Sequence, residues 1–204
     1  MSTDYALSMS GASLRLPDVL ITIRAYQEAG DWGEARRRII DDNLYQLNAE
    51  SSRKRVSGEL VKRLRTLTDD ELQFILDSYG DDQRAMLWVS ICRTYPFIAH
   101  LAQDVVKARY DGTVTDYTVG AFEAFFDRES LLHTELLDVS KEGHKKLRNV
   151  TFRLLADCGL VQPTQGAKSE GTITPLHPSP DFALALDPMH HAETARWFPG
   201  RIGL

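Results

Sequence analysis

Lys141, Lys145, Asn149 and Arg153 recur at intervals of four, and a helix turning about 100° per residue puts all four on one face. That stripe holds no carboxylate, so it offers donors alone and suits a polyanion. Each phosphate such a face neutralises contributes about −0.9 to the slope of log K against log salt. Asn149 and Arg153 also have the side-chain shapes that pair with adenine and guanine edges. Phosphate contacts alone use the same residues, so the stripe does not specify a base preference. Lys146 and Arg148 lie in the same segment, which from Lys141 to Arg153 holds five Lys or Arg against Glu142. The competing reading is an ordinary solvated helix face.

The elements needed to position the stripe are legible on either side. Ser140 is placed to cap a helix, and Gly159 stands where it should stop, because glycine reaches the left-handed region without strain. Leu147, Val150, Leu154 and Cys158 recur at helical spacing and predict the buried side. Two β-prone runs follow, Leu160 to Gln162 and Thr172 to Thr174, joined by a turn-rich polar loop with Lys168 at its tip. Upstream, Asp116 to Asp127 reads as a helix with Val119, Phe122, Phe125 and Phe126 inward. A short helix from Thr134 carries Leu136, Leu137 and Val139. Three helices in this order, then a hairpin wing, are what a winged helix-turn-helix requires.

A second basic segment runs from Ser51 to Thr66. It has Arg53, Lys54, Arg55, Lys62, Arg63 and Arg65 against Glu59 alone. Val56, Leu60, Leu64 and Leu67 give it an apolar stripe, with Ser51 or Ser52 as the expected cap. Gly58 weakens this helix by about 1 kcal/mol relative to alanine, in return for close packing or close approach of a ligand. Three uses of its cations stay open: nucleic acid, the protein's own acidic segments such as Asp69-Asp70-Glu71, or a partner protein.

Net charge over 204 residues is −5. The two basic segments carry +5 and +4, which leaves −14 for the remainder. Local field, not the total, sets where a polyanion docks. An acidic body with two basic helices orients such a ligand and repels it elsewhere.

The remaining chain reads as helices. Residues 1–16 form a loosely ordered lead-in. Pro17 opens a helix over Asp18 to Ala29 that Gly30 stops, and Asp31 caps the next, from Trp32 to about Leu47. Thr68-Asp69-Asp70-Glu71 is a strong helix start. Asp82 to Arg93 is largely buried, and Pro96 interrupts before helix resumes to about Tyr110. Asp111-Gly112-Thr113 is the clearest linker. The expected organisation is a helical N-terminal domain over 17–111, a winged helix-turn-helix over 112–176 and an irregular proline-containing tail over 177–204, with a short helix around His191 to Phe198. The fold class is therefore mainly α with a short β-hairpin wing.

Little points to catalysis. The sequence holds no P-loop, no Gly-x-Gly-x-x-Gly, no Cys-x-x-Cys and no His-Glu-x-x-His. His177, His190 and His191 could be assembled into a metal site only with difficulty, since adjacent histidines point apart. Asp41-Asp42 and Asp81-Asp82 sit at capping or surface positions. No cofactor, metal or catalytic residue is expected, and the chain reads as non-enzymatic. Cys92 and Cys158 fall in apolar stretches and read as buried thiols. No apolar run is long enough to span a bilayer, and no signal-peptide pattern is present, so a cytoplasmic location is expected and no membrane partner. The aromatics Trp88, Tyr95, Phe122, Phe125 and Phe126 fit a core better than a base-stacking platform.

Scattered residues along most of the chain carry a resemblance to a known family. They are Tyr5, Asp31-Trp32, Asp42-Asn43-Leu44, Ser52-Arg53-Lys54-Arg55, Lys62-Arg63-Leu64, Lys145, Leu147-Arg148 and the run Ala156-Asp157-Cys158-Gly159-Leu160-Val161. In these the chain resembles the BrxA family, small accessory proteins of bacterial BREX phage-exclusion systems. The resemblance implies a helical protein with winged-helix character that binds DNA. It also implies service to a larger defence complex containing a methyltransferase, an ATPase and a phosphatase-like protein. Members are sometimes labelled inner-membrane proteins, which the lack of a spanning segment here argues against. The family offers no catalytic residues to carry over. Together these readings predict double-stranded DNA bound by Arg53, Lys54, Arg55, Lys62 and Arg63 on one helix. Lys141, Lys145, Lys146, Arg148, Asn149 and Arg153 bind it on the other, and Lys168 on the wing. A protein-docking scaffold and an RNA-binding factor are the alternatives.

Overall fold

Helix α1 (Leu16–Ala29) begins beside Pro17 and ends at Gly30, whose φ of 68° is left-handed. The structure, a computed structural model, describes residues 13–203. Tyr5 and most of the lead-in lie outside the described residues. Helix α2 (Trp32–Asp41) is capped by Asp31, whose carboxylate accepts the Glu34 amide at 2.8 Å. It stops well short of Leu47. Asn43 and Gln46 adopt φ of 50° and 54°, and the Asn43 side chain accepts the Leu47 amide at 2.9 Å. A side-chain-closed turn thus replaces the last expected helical turns.

Helix α3 (Glu50–Leu64) starts ahead of both serines, with Ala49 at its N-cap and no side-chain cap. The expected Ser51 or Ser52 cap is therefore wrong, since both lie inside the first turn. Helix α4 (Asp69–Asp77) has the full reciprocal box between Thr68 and Glu71. Helix α5 (Asp81–Thr94) is buried along most of its length from Gln83 to Cys92, which makes it the central helix. Helix α6 (Pro96–Leu101), a π-helical stretch over Ala102–Lys107 and helix α7 (Ala108–Asp111) then follow as one run of changing pitch. The apolar pattern predicted the run but not the wider π turns.

Strand β1 (Asp116–Tyr117) occupies residues expected to begin a helix. Helix α8 (Val119–Ser130) begins only after Thr118, whose hydroxyl accepts the Ala121 amide at 3.1 Å. The helix expected from Asp116 thus starts three residues later, and Asp116 and Tyr117 pair as strand instead. A 3-10 turn (Thr134–Leu136) leads to helix α9 (Lys141–Asp157). Strands β2 (Val161–Pro163) and β3 (Gly171–Ile173) form the expected hairpin, and β1 adds to its other side. The antiparallel sheet has the order β1-β3-β2, with Val161 opposite Ile173 and Tyr117 opposite Gly171. Short helices α10 (Pro180–Ala185) and α11 (His191–Thr194) finish the chain.

Buried side chains from both sides of Gly112 join one hydrophobic cluster around Trp88, Tyr95, Phe97, Phe122 and Phe125. The tail is stitched to it, since the Trp88 indole donates to the Trp197 carbonyl at 2.9 Å. Cys92 and Cys158 are buried free thiols, as expected, and burial pushes both thiols upward in pKa. Among the described residues no helix is long and apolar enough to cross a membrane.

Candidate nucleic-acid interface

Helix α9 is built from its cap outward. The Ser140 hydroxyl accepts the Gly143 amide at 3.1 Å, and a Cβ at Gly143 would sit 3.1 Å from Val139 and 3.3 Å from that hydroxyl. Leu147, Thr151, Leu154 and Leu155 are buried, while Lys141, Lys145, Lys146, Asn149 and Arg153 are exposed. At 1.5 Å per residue the stripe from Lys141 to Arg153 runs about 18 Å. That length exceeds the width of a DNA major groove, about 12 Å.

Arg148 is different. It is partly buried and its guanidinium meets Glu123 of α8 at 2.6 Å. His144 reaches the other oxygen of the same carboxylate at 3.1 Å and packs its ring edge-on to Phe126. Arg148 therefore ties α9 to α8 instead of joining the outward stripe. Among the described residues no carboxylate pairs with Lys141, Lys145, Lys146, Arg153 or Lys168 within 4 Å.

The hairpin is joined to α9 directly. The Ser169 hydroxyl donates to the Asn149 carboxamide oxygen at 3.0 Å. Gly166 and Ser169 both take positive φ, 81° and 60°, and fold the tip so that Lys168 is exposed. Gly171 admits no other residue, because a Cβ there would lie 2.3 Å from the Gln162 carbonyl oxygen of the paired strand.

Helix α3 presents fewer free cations than its sequence suggests. Arg63 is only 3% exposed. Its guanidinium meets Glu59 at 2.7 Å, and it donates to the Ser13 carbonyl at 3.3 Å. The Tyr95 hydroxyl shares the same carboxylate. Arg63 is thus removed from the contact face, because a buried guanidinium one turn from a buried carboxylate is a core pair. Lys54 is exposed but pairs with Glu50 at 2.6 Å. Arg53 is half-buried with a buried Nε, Arg55 is exposed, and the Lys62 ammonium lies 4.5 Å from the Tyr95 ring centre. Arg36, Gly58, Val61, Lys62 and Arg65 line an open groove of about 440 Å³ between α2 and α3. Arg36 and Arg65 were not among the expected contacts, although Arg36 belongs to an arginine triplet visible in the sequence. A Cβ added at Gly58 would lie 3.5 Å from the Arg36 guanidinium, an ordinary contact distance.

The acidic pair Asp81-Asp82 binds the chain itself. Asp81 and Asp82 accept the His177 and Ser179 amides at 3.0 and 2.6 Å and so anchor the tail. His190 lies near Asp187 and Glu193, at 3.9 and 3.6 Å, and His191 contacts the Leu186 carbonyl.

Similarity to known proteins was found at three levels. The family model described as BrxA matches residues 3–188. A BREX protein BrxA from Bacillus cereus (strain H3081.97) is 23% identical over 133 residues, covering 65% of this chain. The match spans just under two thirds of that relative, 66% of its length. The crystal structure of an uncharacterized protein from Magnetospirillum magneticum superposes with a TM-score of 0.80 at 16% identity, over 95% of this chain and 97% of that one. At that identity the likeness speaks for the fold alone.

Proposed function

Because this chain belongs to the BrxA family, we propose that it is a non-enzymatic accessory protein of a bacterial BREX phage-defence complex that binds double-stranded DNA. The relative named BREX protein BrxA supports the defence association. The observation that carries the DNA reading is the exposed, carboxylate-free stripe of α9 with Lys168 presented beside it on the hairpin. The order α8, 3-10 turn, α9, β2, β3, with β1 completing the sheet as β1-β3-β2, supports a winged helix-turn-helix in which α9 enters the major groove. In it a single turn over Thr134–Leu136 replaces the expected short middle helix. Asn149, held by Ser169, orients the wing. Lys54, Arg55, Lys62 and Arg65 on α3 form a weaker second surface, and binding is largely sequence-tolerant.

A gel-shift titration of duplex DNA at several salt concentrations tests this. Combining Lys141→Glu, Lys145→Glu and Arg153→Glu is expected to weaken binding more than about tenfold and lower the salt slope by about 2 to 3. Unchanged affinity and slope in a folded triple variant overturn the reading.

One observation favours a second reading, a docking scaffold within the complex. Leu131, Leu132 and Leu137 stand 82%, 73% and 66% exposed around the turn between α8 and α9, and neighbouring exposed leucines suit a protein partner. Co-purification with the other defence proteins after nuclease treatment, together with weak binding to naked DNA, would select it.

A further inference from the structure

Away from the basic stripe, His100 of α6, Glu129 at the C-terminal end of α8 and His133, three residues past that end, come together. One donor atom from each lies within 4.8 Å of the others. His100 Nδ1 is 2.9 Å from Glu129 Oε2, and His133 Nε2 is 3.9 Å from the same oxygen. Donors around a tetrahedral ion with bonds near 2.0–2.1 Å are separated by about 3.3 Å, so these two distances bracket the value required. The chemistry of the set is equally specific. Two imidazoles and one carboxylate suit a borderline divalent transition ion, whereas calcium and magnesium prefer an all-oxygen shell.

We propose that His100, Glu129 and His133 bind one divalent transition-metal ion of the zinc class. The Glu129 side chain is 4% exposed and His100 is 49% exposed, so the site has a buried anchoring charge and an entry side. The adjacent cation, Arg128, is paired with Asp104 at 2.9 Å. Three protein ligands leave a fourth position for water on the open side. Glu129 and His133 are four residues apart across the turn that follows α8, where the His133 amide donates to the Glu129 carbonyl at 2.9 Å. The ion therefore pins this turn to α6. Leu131 and Leu132 lie between Glu129 and His133 in the chain, so the ion closes the turn that carries these two exposed leucines.

Metal-stripped full-length protein, titrated with Zn2+ by calorimetry and with Co2+ by visible absorption, tests the assignment. One ion per chain is expected, with a rise in Tm. His100→Ala combined with His133→Ala is expected to weaken binding at least about 100-fold, as loss of direct ligands should exceed loss of their supporting groups, and to abolish the Tm rise. A variant carrying His177→Ala, His190→Ala and His191→Ala should bind like the natural chain. The single change His100→Ala, at the exposed edge, serves in place of the double variant if the latter does not fold. Absence of binding, or binding that survives His100→Ala undiminished, overturns the proposal.

Discussion

The Ser169 hydroxyl and the Asn149 carboxamide are joined by a 3.0 Å hydrogen bond that locks the hairpin to the middle of α9. The hairpin is therefore joined directly to the basic stripe, and the exposed Lys168 sits next to the residue that makes the join.

Loss of that bond should affect positioning but not charge. Ser169→Ala is expected to lower duplex affinity about fivefold, the equivalent of one net hydrogen bond near 1 kcal/mol, with the salt slope unchanged. Lys168→Ala should reduce the slope by about 0.9 if it contacts one phosphate. Salt-dependent gel shifts separate the two, and a slope change in Ser169→Ala would count against the positioning role.

Arg63 should matter to folding and not to DNA. Arg63→Met leaves the Glu59 carboxylate buried beside the Tyr95 hydroxyl, a loss of about 3–5 kcal/mol. Adding Glu59→Leu should recover much of it, because an apolar replacement of a whole buried pair is often tolerated. Urea unfolding measures both. Strongly reduced DNA affinity in the folded double variant would return Arg63 to the contact face.

Gly58 distinguishes packing from ligand approach. Its nearest neighbours stand at ordinary contact distance, so Gly58→Ala should stabilise α3 by up to about 1 kcal/mol. Thermal melts report the gain, and gel shifts show whether the groove by Arg36, Lys62 and Arg65 tolerates the added methyl. A lower Tm would mean the helix cannot accommodate it.

Tyr45 sets part of the alkaline limit. Burial is the main cause that raises its pKa from 10 to about 12. The fold therefore holds the phenol protonated after the unfolded chain has released its proton. Its contribution is fully present below about pH 10 and is lost as pH rises towards 12, at about 1.4 kcal/mol per pH unit. Tyr45→Phe should flatten the stability profile in that window by about one proton, at the cost of its buried hydroxyl contact with Thr22. An equally steep profile in the variant would exclude Tyr45 as the titrating group.

Much of the local structure was legible in residue order because its causes are local. The caps at Asp31, Thr68 and Ser140, the stops at Gly30 and Gly159, the stripe on α9 and the two strands of the hairpin all follow from spacing and side-chain chemistry within one or two turns. Charge partition and the lack of a spanning run likewise needed no coordinates. Several features required the fold, because each depends on a partner distant in sequence. Tyr117 becomes strand only by pairing with Gly171, and Asn149 meets Ser169 from 20 positions away. Arg148 is drawn off the stripe by Glu123, Arg63 is withdrawn among α3 and α5, and His100 joins Glu129 across 29 positions. Periodicity assigns a side chain to a face of its own helix. Whether that face meets solvent, a carboxylate or another imidazole is decided by which element packs opposite, and that was settled only when the helices closed around α5.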